Sequence, residues 1–204
     1  MKKYVKEVCS AVEHMHEKDV IHRDIKAENI LLHENTVKIC DFGWAVYAPM
    51  LRNTQCGTPI YTPPEIVKHQ YYDKKVDIWC VGVLTYELLY GTSPFEIRHP
   101  FDMAKIVEEQ VFFSKEVKVT EEAKEFIERC LQKLPARRCN IKEALNHDFI
   151  TMKLSEYRHT LGWNSDDFVS YLSYFSLKMS HMFCQLIKFQ IFNKIMISHL
   201  KTLG

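Results

Sequence analysis

His22-Arg23-Asp24-Ile25-Lys26-Ala27-Glu28-Asn29 and, twelve residues beyond Asn29, Asp41-Phe42-Gly43 are the stretch on which the fold turns. The first segment is a polar loop entered from the apolar pair Val20-Ile21. Between the two lie short apolar runs at 30–32 and 37–40, separated by His33-Glu34-Asn35-Thr36, the pattern of a small β-hairpin. A hairpin returns the chain to its start, so Asn29 and Asp41 are expected at one cleft.

Upstream, Val5, Val8, Val12 and Met15 recur at helical spacing, so the chain opens in an amphipathic helix. Downstream, residues 41–65 are rich in Gly, Pro and Thr and follow no period, which predicts a long ordered loop of the kind that carries function. Residues 75–90 (KVDIWCVGVLTYELLY) are apolar nearly all round after their first turn and stop at Gly91, the pattern of a helix buried at the centre of an α-rich domain. Further helices are expected near 101–110, at 120–133 and at 140–147. After Ile150 the composition changes, and from Tyr171 it is dense in Phe, Ile, Leu, Met and Lys without a clean period.

The length of 204 residues suits one domain plus a tail. Lys+Arg of 27 against Asp+Glu of 26 leaves a formal charge of +1, which gives no global field toward nucleic acid or an acidic membrane. The seven cysteines include no C-x-x-C pair and fit a reducing compartment. With no signal peptide and no long uncharged apolar run, the expectation is an intracellular protein without a membrane span.

The His-Arg-Asp-x-Lys-x-x-Asn segment, the hairpin, Asp-Phe-Gly and then Pro63-Pro64-Glu65 stand in the order of the protein kinase catalytic and magnesium motifs. Residues 5–150 resemble the C-terminal lobe of a eukaryotic serine/threonine protein kinase. The resemblance implies a mainly α, protein-kinase-like C-lobe with a small β-hairpin, over a domain portion at 1–150 and a tail of unassigned role at 151–204. It implies ATP and Mg²⁺ as cofactors and protein Ser/Thr hydroxyls as acceptors. Phosphoryl transfer needs a base near the attacking hydroxyl, cations on the phosphates and oxygens to hold them. Asp24 would accept the hydroxyl proton and Lys26 would neutralise charge on the transferred group. Asn29 and Asp41 offer the hard oxygens Mg²⁺ takes. His22 is expected to pack beneath the loop. By family likeness Arg138 pairs with Glu65, and Asp77 braces the catalytic-loop backbone.

The run from Asp41 to Pro49 with Trp44, followed by Thr54-Gln55-Cys56-Gly57-Thr58, is similar to Aurora kinases. Ala27 stands where that family has proline, and Ile60-Tyr61-Thr62 where it has Asp-Tyr-Leu. Thr58 matches the threonine that touches the catalytic Asp and Lys in serine/threonine kinases. Thr54 aligns with the Aurora activation threonine. A phosphate there would add about −1.5 to −2 charges and acceptors for Arg23, ordering the loop; the alternative is a solvated loop threonine. Glu28 matches a residue that contacts substrate arginine in related kinases, or is a solvated carboxylate. Protein substrates and an activating protein are the implied partners, in cytoplasm and nucleus, with spindle or chromosome association on family likeness alone.

The six glycines allow no G-x-G-x-x-G, and no Val-Ala-Ile-Lys strand occurs. The expectation is therefore a kinase chain truncated of its N-lobe and weakly active or inactive alone. A different class, a catalytically silent C-lobe serving as a protein-binding module, is the alternative. Retention of Asp24, Lys26, Asn29 and Asp41 together argues against it.

Overall fold

The computed structural model describes residues 1–48 and 57–153. The described chain runs α1 (Lys2–His16), β1 (Val20–Ile21), β2 (Ile30–His33), β3 (Thr36–Ile39), β4 (Val46–Tyr47), α2 (Pro64–Val67), α3 (Lys75–Tyr90), α4 (Met103–Glu108), α5 (Glu121–Cys130), α6 (Ile141–Leu145) and α7 (Asp148–Thr151), with single 3-10 turns between several of them. It is a mostly helical arrangement with small two-stranded sheets. No described helix is long and apolar enough to cross a membrane.

At the centre lies α3. Val76, Asp77, Ile78, Trp79, Cys80, Val81 and most of the residues after them are buried, as an all-round apolar pattern requires. Gly91 ends it in the left-handed region at φ 73°, its N–H bonded to the Glu87 carbonyl at 2.8 Å. The Trp79 ring stacks on Phe95 at 5.8 Å. Helix α5 crosses α3 where Gly82 leaves no room for a side chain: a Cβ there would stand 2.7 Å from the Cβ of Cys130.

Helix α1 buries Val5, Val8, Cys9, Val12 and Met15, the stripe its spacing predicts. It packs against β3, α3, α6 and α7. Helix α5 is capped by Thr120, whose hydroxyl accepts from the Ala123 N–H at 3.3 Å. Helix α6 begins with a capping box: Asn140 Oδ1 accepts from Glu143 N–H at 2.9 Å, and Glu143 returns the bond to Asn140 N–H at 2.6 Å.

The hairpin pairs Ile30 with Ile39 and His33 with Thr36, turning on Glu34 and Asn35, both at positive φ. Lys3 and Tyr4 of α1 reach the Asn35 carbonyl and side chain at 2.6 and 2.8 Å, tying the turn to the first helix.

The reading of 41–65 as a loop without regular structure is corrected. Val20 pairs with Tyr47 and Ile21 with Val46, so β1 and β4 form a second sheet. A 3-10 turn follows at Pro59–Tyr61, and α2 starts at Pro64. Strands of two residues are too short to show a period. The expected helix at 101–110 is a 3-10 turn at Pro100–Asp102 leading into the shorter α4, that at 120–133 stops at Cys130, and that at 140–147 holds α6 alone.

Candidate active site

The loop from His22 to Asn29 is held from below by α3. Asp77, fully buried in the first turn of that helix, accepts the N–H of His22 at 3.0 Å and of Arg23 at 2.8 Å, and bonds His16 Nε2 at 2.8 Å. With its backbone gripped there, Arg23 sits at φ 68°, a left-handed conformation uncommon for a side chain of its size. His22 is fully buried: its Nδ1 accepts from Asp24 N–H at 3.3 Å, which places the proton on Nε2, facing the Cys40 carbonyl at 3.2 Å. Its ring meets Phe42 edge-on at 4.9 Å. It packs beneath the loop, as expected.

Asp24, Lys26 and Thr58 form a closed triangle. Asp24 Oδ2 receives Lys26 Nζ at 2.8 Å, Oδ1 receives the Thr58 hydroxyl at 3.0 Å, and Lys26 Nζ also donates to Thr58 Oγ1 at 2.8 Å. The Asn29 amide nitrogen donates to the Asp24 carbonyl at 2.8 Å and to its carboxylate at 3.0 Å. Both amide hydrogens face Asp24, which leaves the Asn29 carboxamide oxygen as the group open to a cation. Such a cluster offers an arriving hydroxyl a carboxylate that can take its proton and an ammonium that can offset developing negative charge.

The hairpin does bring its ends together. Cys40 N–H donates to the Asn29 carbonyl at 2.9 Å, and Asp41 follows immediately, exposed and at φ 61°. Asp41 Oδ1 accepts from Gly43 N–H at 3.2 Å, while a Cβ at Gly43 would lie 3.1 Å from that oxygen. The buried Asn29 and the exposed Asp41 both offer hard oxygens of the kind a divalent ion such as Mg²⁺ takes.

Arg23 sends its side chain toward the segment after Asp41: Nε donates to the Trp44 carbonyl at 2.7 Å and Nη1 to the Tyr72 hydroxyl at 2.9 Å. Thr54 lies outside the described residues, so its relation to Arg23 is not part of this geometry; the same holds for Cys56 and residues 154–204 of the tail. Glu28 is exposed on the turn Ala27–Asn29.

Reading the sequence missed Tyr61 and Glu87. The Tyr61 hydroxyl accepts from Ala27 N–H at 3.3 Å and donates to Glu87 Oε2. Burial pushes the Glu87 carboxyl up to about 7, against the hydrogen bond from Tyr61, and the nearby charge of Glu28 pushes it the same way as burial. Burial first, then Glu87, hold the Tyr61 phenol well above its ordinary value. The signal was available: a carboxylate in the last turn of a helix whose neighbours are all apolar. His16, bonded to Asp77, carried no such mark in the amphipathic α1.

The Pro63-Pro64-Glu65 segment is anchored by a buried bidentate pair. Arg138 Nη1 and Nη2 bond Glu65 Oε1 and Oε2 at 2.7 and 2.9 Å, both side chains being essentially without solvent. The guanidinium also lies over Trp79 at 5.1 Å and donates to the carbonyls of Lys75 and Gln132.

A mostly helical lobe with an aspartate, a lysine and a threonine closed on one another above it defines a class: the chain belongs to the protein kinase family, whose domain model matches residues 1–150. Within that family it is similar to Aurora kinases. It is 43% identical over 150 residues to Aurora kinase B of Danio rerio, covering 72% of this chain and 46% of that protein. It is 44% identical over 151 residues to an Aurora kinase of Encephalitozoon cuniculi, covering 72% and 55%, and 43% identical over 148 residues to Aurora kinase C of Mus musculus, covering 72% and 53%. The chain spans about half the length of the curated relatives it matches.

Proposed function

We propose that this chain is the catalytic-loop portion of an Aurora-type serine/threonine protein kinase, which transfers the γ-phosphoryl group of ATP to protein hydroxyls. The observation that carries the reading is the triangle of Asp24, Lys26 and Thr58, which puts a proton acceptor, a cation and a positioning hydroxyl within 3.0 Å of one another. Asp24 orients the acceptor hydroxyl and takes its proton; Lys26 stands beside the transferred group; Thr58 keeps the pair aligned before substrate arrives. Asn29 and Asp41 would hold Mg²⁺, which would supply positive charge to offset that of the ATP phosphates.

Residues 1–150 form the kinase-domain portion in this reading, and 151–204 a tail of separate role. Glu28, exposed on the turn Ala27–Asn29, gives the acceptor side a carboxylate suited to a basic protein substrate. Thr54 is the activation site, with Arg23 its phosphate partner. In this reading protein substrates and an activating protein are the partners, and likeness to Aurora kinases supports a cell-cycle role, with spindle or chromosome association resting on that likeness alone.

The test is Mg²⁺-dependent ATP binding and phosphorylation of basic peptides by the purified chain, beside Asp24→Asn and Asp41→Asn. Transfer by the wild type that both variants lose supports the reading. Transfer by the wild type that survives both substitutions overturns it.

A further inference from the structure

Beside the loop that carries Arg138, two thiols face each other. Cys130 closes α5 and Cys139 follows the turn Pro135–Arg137; their sulfurs are 3.8 Å apart, and the Cys139 N–H donates to the Arg129 carbonyl at 3.2 Å. Backbone and side chains are thus already brought together across the loop, and an S–S bond of roughly 2.05 Å needs only a small further approach. Gly82 backs directly onto Cys130, so the movement falls to the loop carrying Cys139.

We propose that Cys130 and Cys139 are a modification site, a facing dithiol that a peroxide oxidises to an internal disulfide, locking the loop that carries Arg138 and hence its grip on Glu65. The two thiols are unequal, as a nucleophile and its resolving partner should be. The hydrogen bond from Cys130, with Lys75 and Arg129 nearby, holds the Cys139 thiol below its ordinary value, while burial pushes Cys130 well above its own. Cys139 also keeps 7% of its surface in contact with solvent, whereas Cys130 keeps none.

The Cys139 thiolate attacks one peroxide oxygen and breaks the O–O bond, forming the sulfenic acid and hydroxide, which takes up the proton the Cys139 thiol gave up on ionising and leaves as water. The Cys130 sulfur then displaces hydroxide from that sulfenic sulfur, and its proton leaves with the hydroxide as a second water. Two electrons pass from the thiols to the peroxide, which is the only oxidant required. Cys9, fully buried and pushed upward by burial with a contribution from Cys139, lies near the pair and is the competing thiol.

The test treats the whole chain with hydrogen peroxide, alkylates remaining thiols, digests without reductant and maps the cysteines by mass spectrometry. The expected product is a Cys130–Cys139 linked peptide pair lighter by two hydrogens and restored by dithiothreitol. In Cys130→Ser the link is lost and Cys139 becomes trappable by dimedone. A link from Cys139 to Cys9 overturns the proposal. So does a wild-type pair that stays reduced while exposed thiols oxidise, because that measurement is independent of whether any variant folds.

Discussion

The Asp77 carboxylate holds Arg23 by its backbone: Oδ1 accepts the Arg23 N–H at 2.8 Å across 54 residues of sequence. The same side chain takes the His22 N–H at 3.0 Å. The loop bearing Asp24 is therefore held from the buried central helix α3. Asp77→Asn turns one acceptor oxygen into a donor facing donors. The expected loss is about 2–4 kcal/mol of unfolding free energy, read as a lower midpoint in urea with an unchanged slope. A midpoint equal to wild type would mean that the loop keeps its own conformation.

Arg138 and Glu65 are a pair in which the partners cost more to separate than to replace. Removing either side chain alone leaves a buried charge, with an expected penalty of about 3–5 kcal/mol. The joint Glu65→Leu, Arg138→Met variant should be less destabilised than either single truncation. A double-mutant cycle on thermal or chemical unfolding reads the coupling, and strict additivity would refute it.

Gly82→Ala sets two effects against each other. Alanine favours a helix by about 1 kcal/mol. The added Cβ, however, meets Leu131 Cδ2 at 2.8 Å and Cys130 Cβ at 2.7 Å, and the latter is attached directly to the α5 backbone and cannot rotate away. Overpacking of this kind costs about 1–3 kcal/mol, so the clash wins and the variant unfolds earlier. A gain in stability would show that α5 can slide.

Glu87 predicts a pH dependence of unusual sign for a carboxylate. Its folded value of about 7 lies above the ordinary 4.5. Below pH 4.5 both folded and unfolded chains hold the proton; between 4.5 and 7 the folded chain binds it and the unfolded chain does not. The contribution of this group to stability is thus complete at the acid end, falls as pH rises through that window and levels off above it. The fall is roughly 3 kcal/mol at most. Glu87→Gln should flatten the slope over this range in urea titrations; an unchanged slope would assign it to another group.

What could be read from the sequence followed the strength of the local pattern. The helix expected at 75–90 is Lys75–Tyr90, because a segment apolar nearly all round after its first turn has few other ways to be buried. The hairpin was legible from its apolar runs, and the pairing of Asn29 with the strand end before Asp41 followed from it. The β1–β4 sheet was not, since Val20-Ile21 and Val46-Tyr47 are too short to show alternation and pair across more than twenty residues. At the site, Asp24, Lys26 and Asn29 stood in one short segment and were found together. Thr58 was legible through its family likeness, whereas Tyr61 and Glu87 matter only because folding brings Ala27 to one and Glu28 to the other.

The hairpin between Asn29 and Asp41 has an arithmetic of its own. Its strands pair Ile30 with Ile39 and His33 with Thr36, so the two oxygen donors stand at the open end and the turn at Asn35 stands at the far end. Adding one residue to each strand would extend the ladder outward and leave the open end where it is. Adding a single residue to one strand would reverse every side chain beyond it. Within the ladder the interval between the two motifs is governed by parity, so an odd insertion has to be taken up in the turn or as a bulge.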